Sequence, residues 1–301
     1  MLDSAYIKDL ALGAGFDECG ITARRHLAFN EQRFGEWLDR GYASRLDYMH
    51  NHLDKRFDVG CLVEGARSVV VCAVAYDGAV GEELRGIDAP KIAAYASRRD
   101  YHKVIKKALQ QMLKSLQQRY PHLQGRAFVD SAPLLEKQLA VEAGLGWIGR
   151  QSLLVTPRFG SYVLLGELVL NDDVDAYDTP YQGVGCGGCR RCVEACPTGA
   201  VTNEMVIDTN RCISCHTIEA SPESRVNLHG WVFGCDECQM VCPYNRLAES
   251  GRGELLPRLF HCKDLSAEEW LSMDEEEFSQ RFAPTPLKRA GLKKIQENTK
   301  K

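Results

Sequence analysis

The chain has 301 residues, 45% of them hydrophobic and 26% charged, with a formal net charge of −4. It can bury at least one sizeable core and has room for two domains, and its mild acidity excludes a nucleic-acid partner held by the overall field, so any such partner must be gripped by local basic patches. The amino terminus, MLDSAYIKDLALGAGFDECG, carries acidic residues and glycines where a secretory signal needs basic residues and an unbroken apolar stretch, and no apolar run is long enough to cross a membrane. A cytoplasmic protein is expected, where thiols stay reduced and a dense cysteine cluster points to metal binding more than to disulfides.

In chain order, SVVVCAVAY (68–76) is a continuous β-branched and apolar run, the pattern of a strand covered on both faces. DYHKVIKKALQQMLKSLQQRYP carries Ile105, Ala108, Leu109, Met112, Leu113 and Leu116 at helical spacing, and Pro121 stops it. RAFVD reads as a short strand, and PLLEKQLAVEAG as a helix with Pro133 in its first turn and Gly144 as its stop. SLLVT and SYVLLGELVL supply two more strands around the turn PRFG. Strands alternating with helices predict a layered sheet domain over residues 1–175. NDDVDAYDTPYQGVG marks a boundary, residues 176–250 are rich in cysteine, and residues 251–301 form a tail. There Ser266 and Glu269 make a capping-box pattern ahead of one or two short helices.

Nine of the 13 cysteines lie between Cys186 and Cys242, and the scattered Cys19, Cys61, Cys72 and Cys262 are expected to be buried small hydrophobes. CGGCRRCVEACP places Cys186, Cys189, Cys192 and Cys196 at the bacterial ferredoxin spacing, in which the fourth cysteine serves a neighbouring cluster. The reciprocal motif is CDECQMVCP, with Cys235, Cys238 and Cys242, and CISC adds Cys212 and Cys215. Cluster one then takes Cys186, Cys189, Cys192 and Cys242; cluster two takes Cys196, Cys235, Cys238 and one of the CISC pair. Zinc is the competing reading of Cys-x2-Cys pairs, but the double Cys-Pro ending and the reciprocal count favour two iron–sulfur clusters, most often [4Fe–4S] at this spacing, and hence electron transfer.

A two-cluster carrier needs far fewer residues than this, so the first 175 must use the electrons. GLGWIG follows a helix, not a strand, which makes a dinucleotide fingerprint weak. The segments FVDSAPLLEKQLAVEAGLGWIGRQSLLVTPRFGSYVLLGEL, GCGGCRRCVEACPTGA and HGWVFGCDECQMVCPYN resemble the tRNA epoxyqueuosine reductases. The resemblance implies an α+β chain: a layered cobalamin-binding domain resembling reductive dehalogenases, then a two-cluster ferredoxin-like domain. It also implies an oxidoreductase that removes the epoxide oxygen from epoxyqueuosine at the wobble position of tRNA, leaving queuosine. Longer relatives continue into a helical-repeat domain, and this chain is expected to be a short form without it.

Carried over by residue, the resemblance makes Asp130 the proton donor and puts Arg56 on the cobalamin side, with Tyr95, Ser152 and Leu154 as further contacts. It selects Cys212 as the cluster ligand and leaves Cys215 as a free thiol. An epoxide opens when a strong nucleophile or reductant such as cob(I)alamin attacks carbon while an acid protonates the oxygen, so burial is expected to raise the Asp130 pKa. The competing roles are an N-cap for Asp130, an ion pair with Asp54 or Asp58 for Arg56, and structural roles for His102 and His229. No histidine lies in a D-x-H-x-x-G arrangement, so a base-off cofactor is expected. The remaining expectations are a monomer, an external electron donor, and tRNA held by the basic segments 97–107 and 287–294. A bare electron carrier and a cytoplasmic dehalogenase-like enzyme are the alternatives.

Overall fold

The computed structural model describes residues 1–76, 83–84, 90–219, 226–261 and 263–301. Its strands are β1 (Glu18–Ala23), β2 (Ser68–Ala75), β3 (Lys91–Ile92), β4 (Gly125–Phe128), β5 (Trp147–Ile148), β6 (Leu154–Val155), β7 (Val163–Leu170) and β8 (Trp231–Phe233). Four of them form an antiparallel sheet in the order β1-β2-β7-β4. All eight residues of β2 are buried, because the apolar run sends alternate side chains to two different cores. Val70, Cys72 and Val74, with Leu168 and Leu170 of β7, meet the helices Ser4–Gly13 and Tyr101–Arg119 through Ile7, Ala11, Ile105, Leu109, Met112 and Leu116. Val69, Val71 and Ala73 meet the helix Glu136–Glu142 through Leu139 and Ala140. The layered α+β architecture is therefore present, with helices on both faces of one sheet.

A third core joins the rest of the chain. β3 and β8 pair in parallel, Lys91 opposite Trp231 and Ile92 opposite Phe233, and around them pack Trp270, Phe278, Phe282 and Ile295 from the tail. The Ser266–Glu269 capping box opens the helix Ala267–Ser272, which is followed by Glu275–Phe282 and Gly291–Thr299. Asn298 in the last helix donates to the carbonyls of Thr217 and Val232, fastening the tail to the cysteine-rich segment. No helix among the described residues is long and apolar enough to cross a membrane.

Two expectations need correction. Cys61 is exposed, whereas Cys72 is buried and Cys19 half-buried; Cys61 ends a one-turn 3-10 helix, Val59–Cys61, whose buried residue is Val59. Cys262 lies outside the described residues. The helix expected from Pro133 begins only at Glu136, because residues 129–134 fold into tight turns, with Ser131 N–H on the Val129 carbonyl and Leu134 N–H on the Ala132 carbonyl.

Candidate active site

The end of β4 delivers Asp130 to a turn whose backbone is left-handed, φ 52°. Aspartate tolerates that region better than most residues, and the turn is held by the Asp130 N–H, which donates to Glu136 Oε1 at 2.5 Å. The first turn of the helix Tyr101–Arg119 faces it. The Tyr101 hydroxyl donates to Asp130 Oδ2 at 2.5 Å, and His102 Nε2 lies 3.1 Å from the same oxygen. Asp100, the N-cap of that helix, accepts from the His102 N–H and also lies 2.7 Å from its Nδ1. Asp130 is thus no helix cap: the helix after it has Leu135 at its N-cap position, with no side-chain capping bond.

In the polypeptide alone the surroundings favour the charged form of Asp130. The His102 hydrogen bond, aided by Tyr101, outweighs the partial desolvation of a side chain that is 45% exposed and holds its carboxyl below the usual carboxylate range. The bond to Asp130, with that to Asp100, raises the His102 imidazole. Hydrogen bonds that favour the charged form win here because three donors and acceptors converge within one helical turn. A few ångströms away the balance is opposite. Glu167 on β7 is 0% exposed, and its carboxyl faces that of Glu136. Burial, then the neighbouring Glu136, pushes it well above the carboxylate range. Glu136 itself is pushed up to about 7 by burial and by the Asp130 charge.

Asp130, Tyr101, His102 and Asp100 line a cavity of about 400 Å³, the size of a site for one small ligand. One wall is Tyr95, Tyr101, His102 and Asp130; the opposite wall is Ile218, Glu219 and Phe233 from the cysteine-rich segment, with Lys288 and Arg289 from the tail closing the side. Arg289 donates to Glu219. Tyr95 stands edge-on to Tyr101 with centroids 6.1 Å apart. Tyr48 also lines the cavity, and its carbonyl accepts from Arg56 at 3.3 Å.

Arg56 is 8% exposed. Asp58 is taken by Arg24, while Arg56 packs over the Phe34 ring at 5.3 Å and keeps a buried Nε with no hydrogen-bond partner among the described residues. Ser152 has φ 59°; its hydroxyl donates to the Met205 carbonyl and its own carbonyl accepts from Lys137. Leu154 is buried in the sheet core. Of the residues expected around the cofactor, Tyr95 and Asp130 share the cavity, Arg56 stands behind Tyr48, and neither Ser152 nor Leu154 lines it.

The thiols influence one another. Burial, then the charges of Cys186 and Cys242, raises Cys192; Cys242 is likewise raised by burial and by Cys186 and Cys189. Burial raises Cys212, with Cys196 adding to it, and raises Cys235, with Cys238 and Cys212 adding. Cys238 is also raised by burial, with Cys212, Cys192 and Cys196 adding. Burial of Cys196 is outweighed by N–H donors including Ala200 at 3.2 Å, and its thiol is lowered. The Trp147 indole N–H lies 3.4 Å from Cys186 Sγ. Gly234, φ +69°, brings this segment against β3: a Cβ there would stand 2.4 Å from the Ala93 Cβ. Cys215 is pushed up to about 11 by burial, then by Cys212 and Glu219.

The residues missed by sequence reasoning are Tyr101, Glu136 and Glu167, and His102 was read there as structural. Two signals were legible: D-x-H at a helix start, and one glutamate in the otherwise apolar run VLLGELVL.

A proton-holding cavity walled on one side by a thiol-rich segment defines an iron–sulfur oxidoreductase. Residues 56–131 match the family described as Epoxyqueuosine reductase QueG, DUF1730, and residues 185–245 match the 4Fe-4S double cluster binding domain. An epoxyqueuosine reductase of Cyclobacterium marinum is 42% identical over 298 residues, 97% of this chain and 94% of its own. The crystal structure of an epoxyqueuosine reductase with a tRNA-Tyr epoxyqueuosine-modified stem loop superposes with TM-score 0.83 at 27% identity, over 98% of this chain and 79% of that one. A Bacillus subtilis epoxyqueuosine reductase, captured with its catalytic aspartate loop swung out of the active site, gives the same TM-score, identity and coverage. The chain belongs to the epoxyqueuosine reductase family. Membership decides against the bare carrier and the dehalogenase-like alternative.

Proposed function

We propose that this chain reduces epoxyqueuosine in tRNA to queuosine at the cavity between Asp130 and Phe233. The observation that carries this reading is that a single cavity has a proton-holding wall, Tyr101, His102 and Asp130, and is also lined by Ile218, Glu219 and Phe233 from the segment that contains Cys212 and Cys235. Residues 1–175 form the cobalamin-binding part, residues 176–250 hold the two [4Fe–4S] clusters, and residues 251–301 close the cavity. The clusters take Cys186, Cys189, Cys192 and Cys242, and Cys196, Cys212, Cys235 and Cys238, an assignment supported by the reciprocal spacing of the two cysteine motifs. Cobalamin, when bound, supplies a strong nucleophile or reductant at carbon. Arg56, whose buried Nε lacks a partner among the described residues, and Tyr95 would hold it, Ser152 and Leu154 would contact it only outside this cavity, and Asp130 passes the proton to the departing oxygen. Lys288 and Arg289 at the cavity edge, and the exposed Lys103, Lys106 and Lys107 on the adjoining helix, meet tRNA phosphates. The protein works as a cytoplasmic monomer fed by an external electron donor.

The test is anaerobic incubation of the protein, reconstituted with iron, sulfide and cobalamin, with dithionite and an epoxyqueuosine-containing tRNA stem loop, read by nucleoside mass spectrometry. Conversion to queuosine supports the reading. No conversion by protein holding both clusters and cobalamin overturns it.

A further inference from the structure

Removing an epoxide oxygen as water breaks two C–O bonds, forms one C=C bond, and consumes two electrons and two protons. The iron–sulfur segment accounts for the electrons. A single carboxyl can hold one proton at most, and Asp130 sits where its neighbours favour its charged form, so the protons need another store close to it.

We propose that His102 is that store: its imidazolium, clamped between Asp100 and Asp130, reloads Asp130 with each proton that the departing oxygen takes. This rests on the function proposed above and deepens it. The geometry gives His102 a carboxylate on each ring nitrogen, Asp100 Oδ1 at 2.7 Å from Nδ1 and Asp130 Oδ2 at 3.1 Å from Nε2. The ring is fixed by stacking on Tyr101, centroids 4.1 Å apart, and by the Asp100 cap on its own N–H. Tyr101 also uses Asp130 Oδ2, and Oδ1 has no hydrogen bond from the described residues. One oxygen is thus committed to the store while the other is available to substrate. The Nε2 proton moves to Asp130, Asp130 gives a proton to the oxygen, and neutral His102 regains one from water, to which its side chain is 30% exposed. The charged and titratable groups around this pair are Asp100 and Tyr101 from the same helix turn, Glu136 behind Asp130, Tyr95 beside Tyr101, and Arg289, Lys288 and Glu219 across the cavity. The raised imidazole keeps the store filled at neutral pH. His102 acts through Asp130 and is a positioning and proton-supplying residue, not the group that touches substrate.

The experiment has two arms on the full chain. In the first, the histidine Cε1–H signals of 13C-labelled protein are followed against pH, with His102 identified by its loss in His102→Gln. The expected His102 titration lies above the ordinary imidazole value of about 6.5 and moves toward it in Asp100→Asn and in Asp130→Asn. In the second, His102→Gln, which can still donate a hydrogen bond but carries no titrating proton, keeps its clusters and tRNA binding. Its turnover falls on the order of ten- to a hundredfold, short of the larger loss expected without the acid itself. Its alkaline pH limb changes, and added imidazole restores rate in His102→Ala. A His102→Gln enzyme with parental turnover and pH profile, or a His102 signal titrating at the ordinary value and indifferent to Asp130→Asn, overturns the inference. A parent that converts no epoxyqueuosine is a failure of the proposed function instead, and the NMR arm then still decides whether His102 holds the proton. If His102→Gln does not fold, His102 is identified as the histidine signal that shifts in both aspartate variants, and the absence of any such signal overturns the inference.

Discussion

On the cavity wall that ends β4 and begins the helix Tyr101–Arg119, hydrogen bonds from His102 and Tyr101 overcome burial and hold Asp130 as a carboxylate. In the cysteine-rich segment that supplies Ile218, Glu219 and Phe233 to the cavity, burial prevails, and the thiols of Cys212, Cys235 and Cys238 are raised above their ordinary range. The first wall is complete in the polypeptide alone, since Asp130 has its partners in His102 and Tyr101, and His102 has a second in Asp100. The cysteine-rich segment is complete only with metal, because a buried thiol gives up its proton readily only when a cation takes its place. The proton side should therefore outlast loss of iron, and the electron side should not.

The largest effect expected follows from the cysteine-rich segment. Cys212→Ser should lose about half of the roughly eight irons of two cubanes and all turnover, while Cys215→Ser keeps both; iron analysis and electron paramagnetic resonance check this. Equal iron in the two variants would remove Cys212 from the ligand set. Chelation of iron from the parent should open residues 186–242 to protease while the antiparallel sheet stays protected.

Asp130→Asn tests the first wall. Turnover should fall about 10²- to 10⁴-fold, the usual cost of losing a general acid, with cluster content and tRNA affinity kept. Because Asp130 caps no helix, Asn and Ala should differ little in thermal stability; a drop confined to Ala would restore a structural role.

A smaller effect separates Asp130 from the carboxyls behind it. Glu136 and Glu167 have raised pKa values, so the stability they lend is fully present below the unfolded carboxylate range and is lost as pH rises through their folded values, for Glu136 at about 7. Glu167→Gln, which carries no titrating proton, should lose stability less steeply than the parent as pH rises, measured by denaturant unfolding from pH 5 to 8. His102 and Asp130 run the other way as a pair. The raised His102 contributes until pH climbs past its folded value, and the depressed Asp130 contributes until pH falls past its own. A parent whose stability is flat from pH 5 to 8 would mean that the two carboxyl environments do not differ.

The smallest effect is on tRNA. Reversing Lys103, Lys106 and Lys107 should weaken stem-loop binding and reduce the salt slope by about 0.7–0.9 for each phosphate that is no longer neutralised, while an unchanged slope would make that helix face merely solvated. Arg289 is unsuited to the same test because its bond to Glu219 ties it to the cavity wall.

The sequence by itself determined the elements whose signal is local. The β2 run, the helix from Tyr101 and the Ser266–Glu269 box read directly from period, length and capping chemistry, and the cysteine spacing carried the two-cluster count, since a fourth ligand for each cluster must come from the other motif. β1, β3 and β8 were not legible: two are short, and β3 pairs with β8 some 140 residues away, a partnership no local pattern records. The site was half legible. Asp130 and Arg56 came through a motif resemblance, but the direction of the Asp130 proton equilibrium did not. It depends on His102 and Tyr101 arriving 28 and 29 residues away in sequence and within 3.1 Å in space. Hydrogen-bond energies change steeply over tenths of an ångström, whereas hydrophobic burial changes slowly with position. For that reason composition and periodicity fixed which faces are buried, and only the tertiary packing decided which acid keeps its proton.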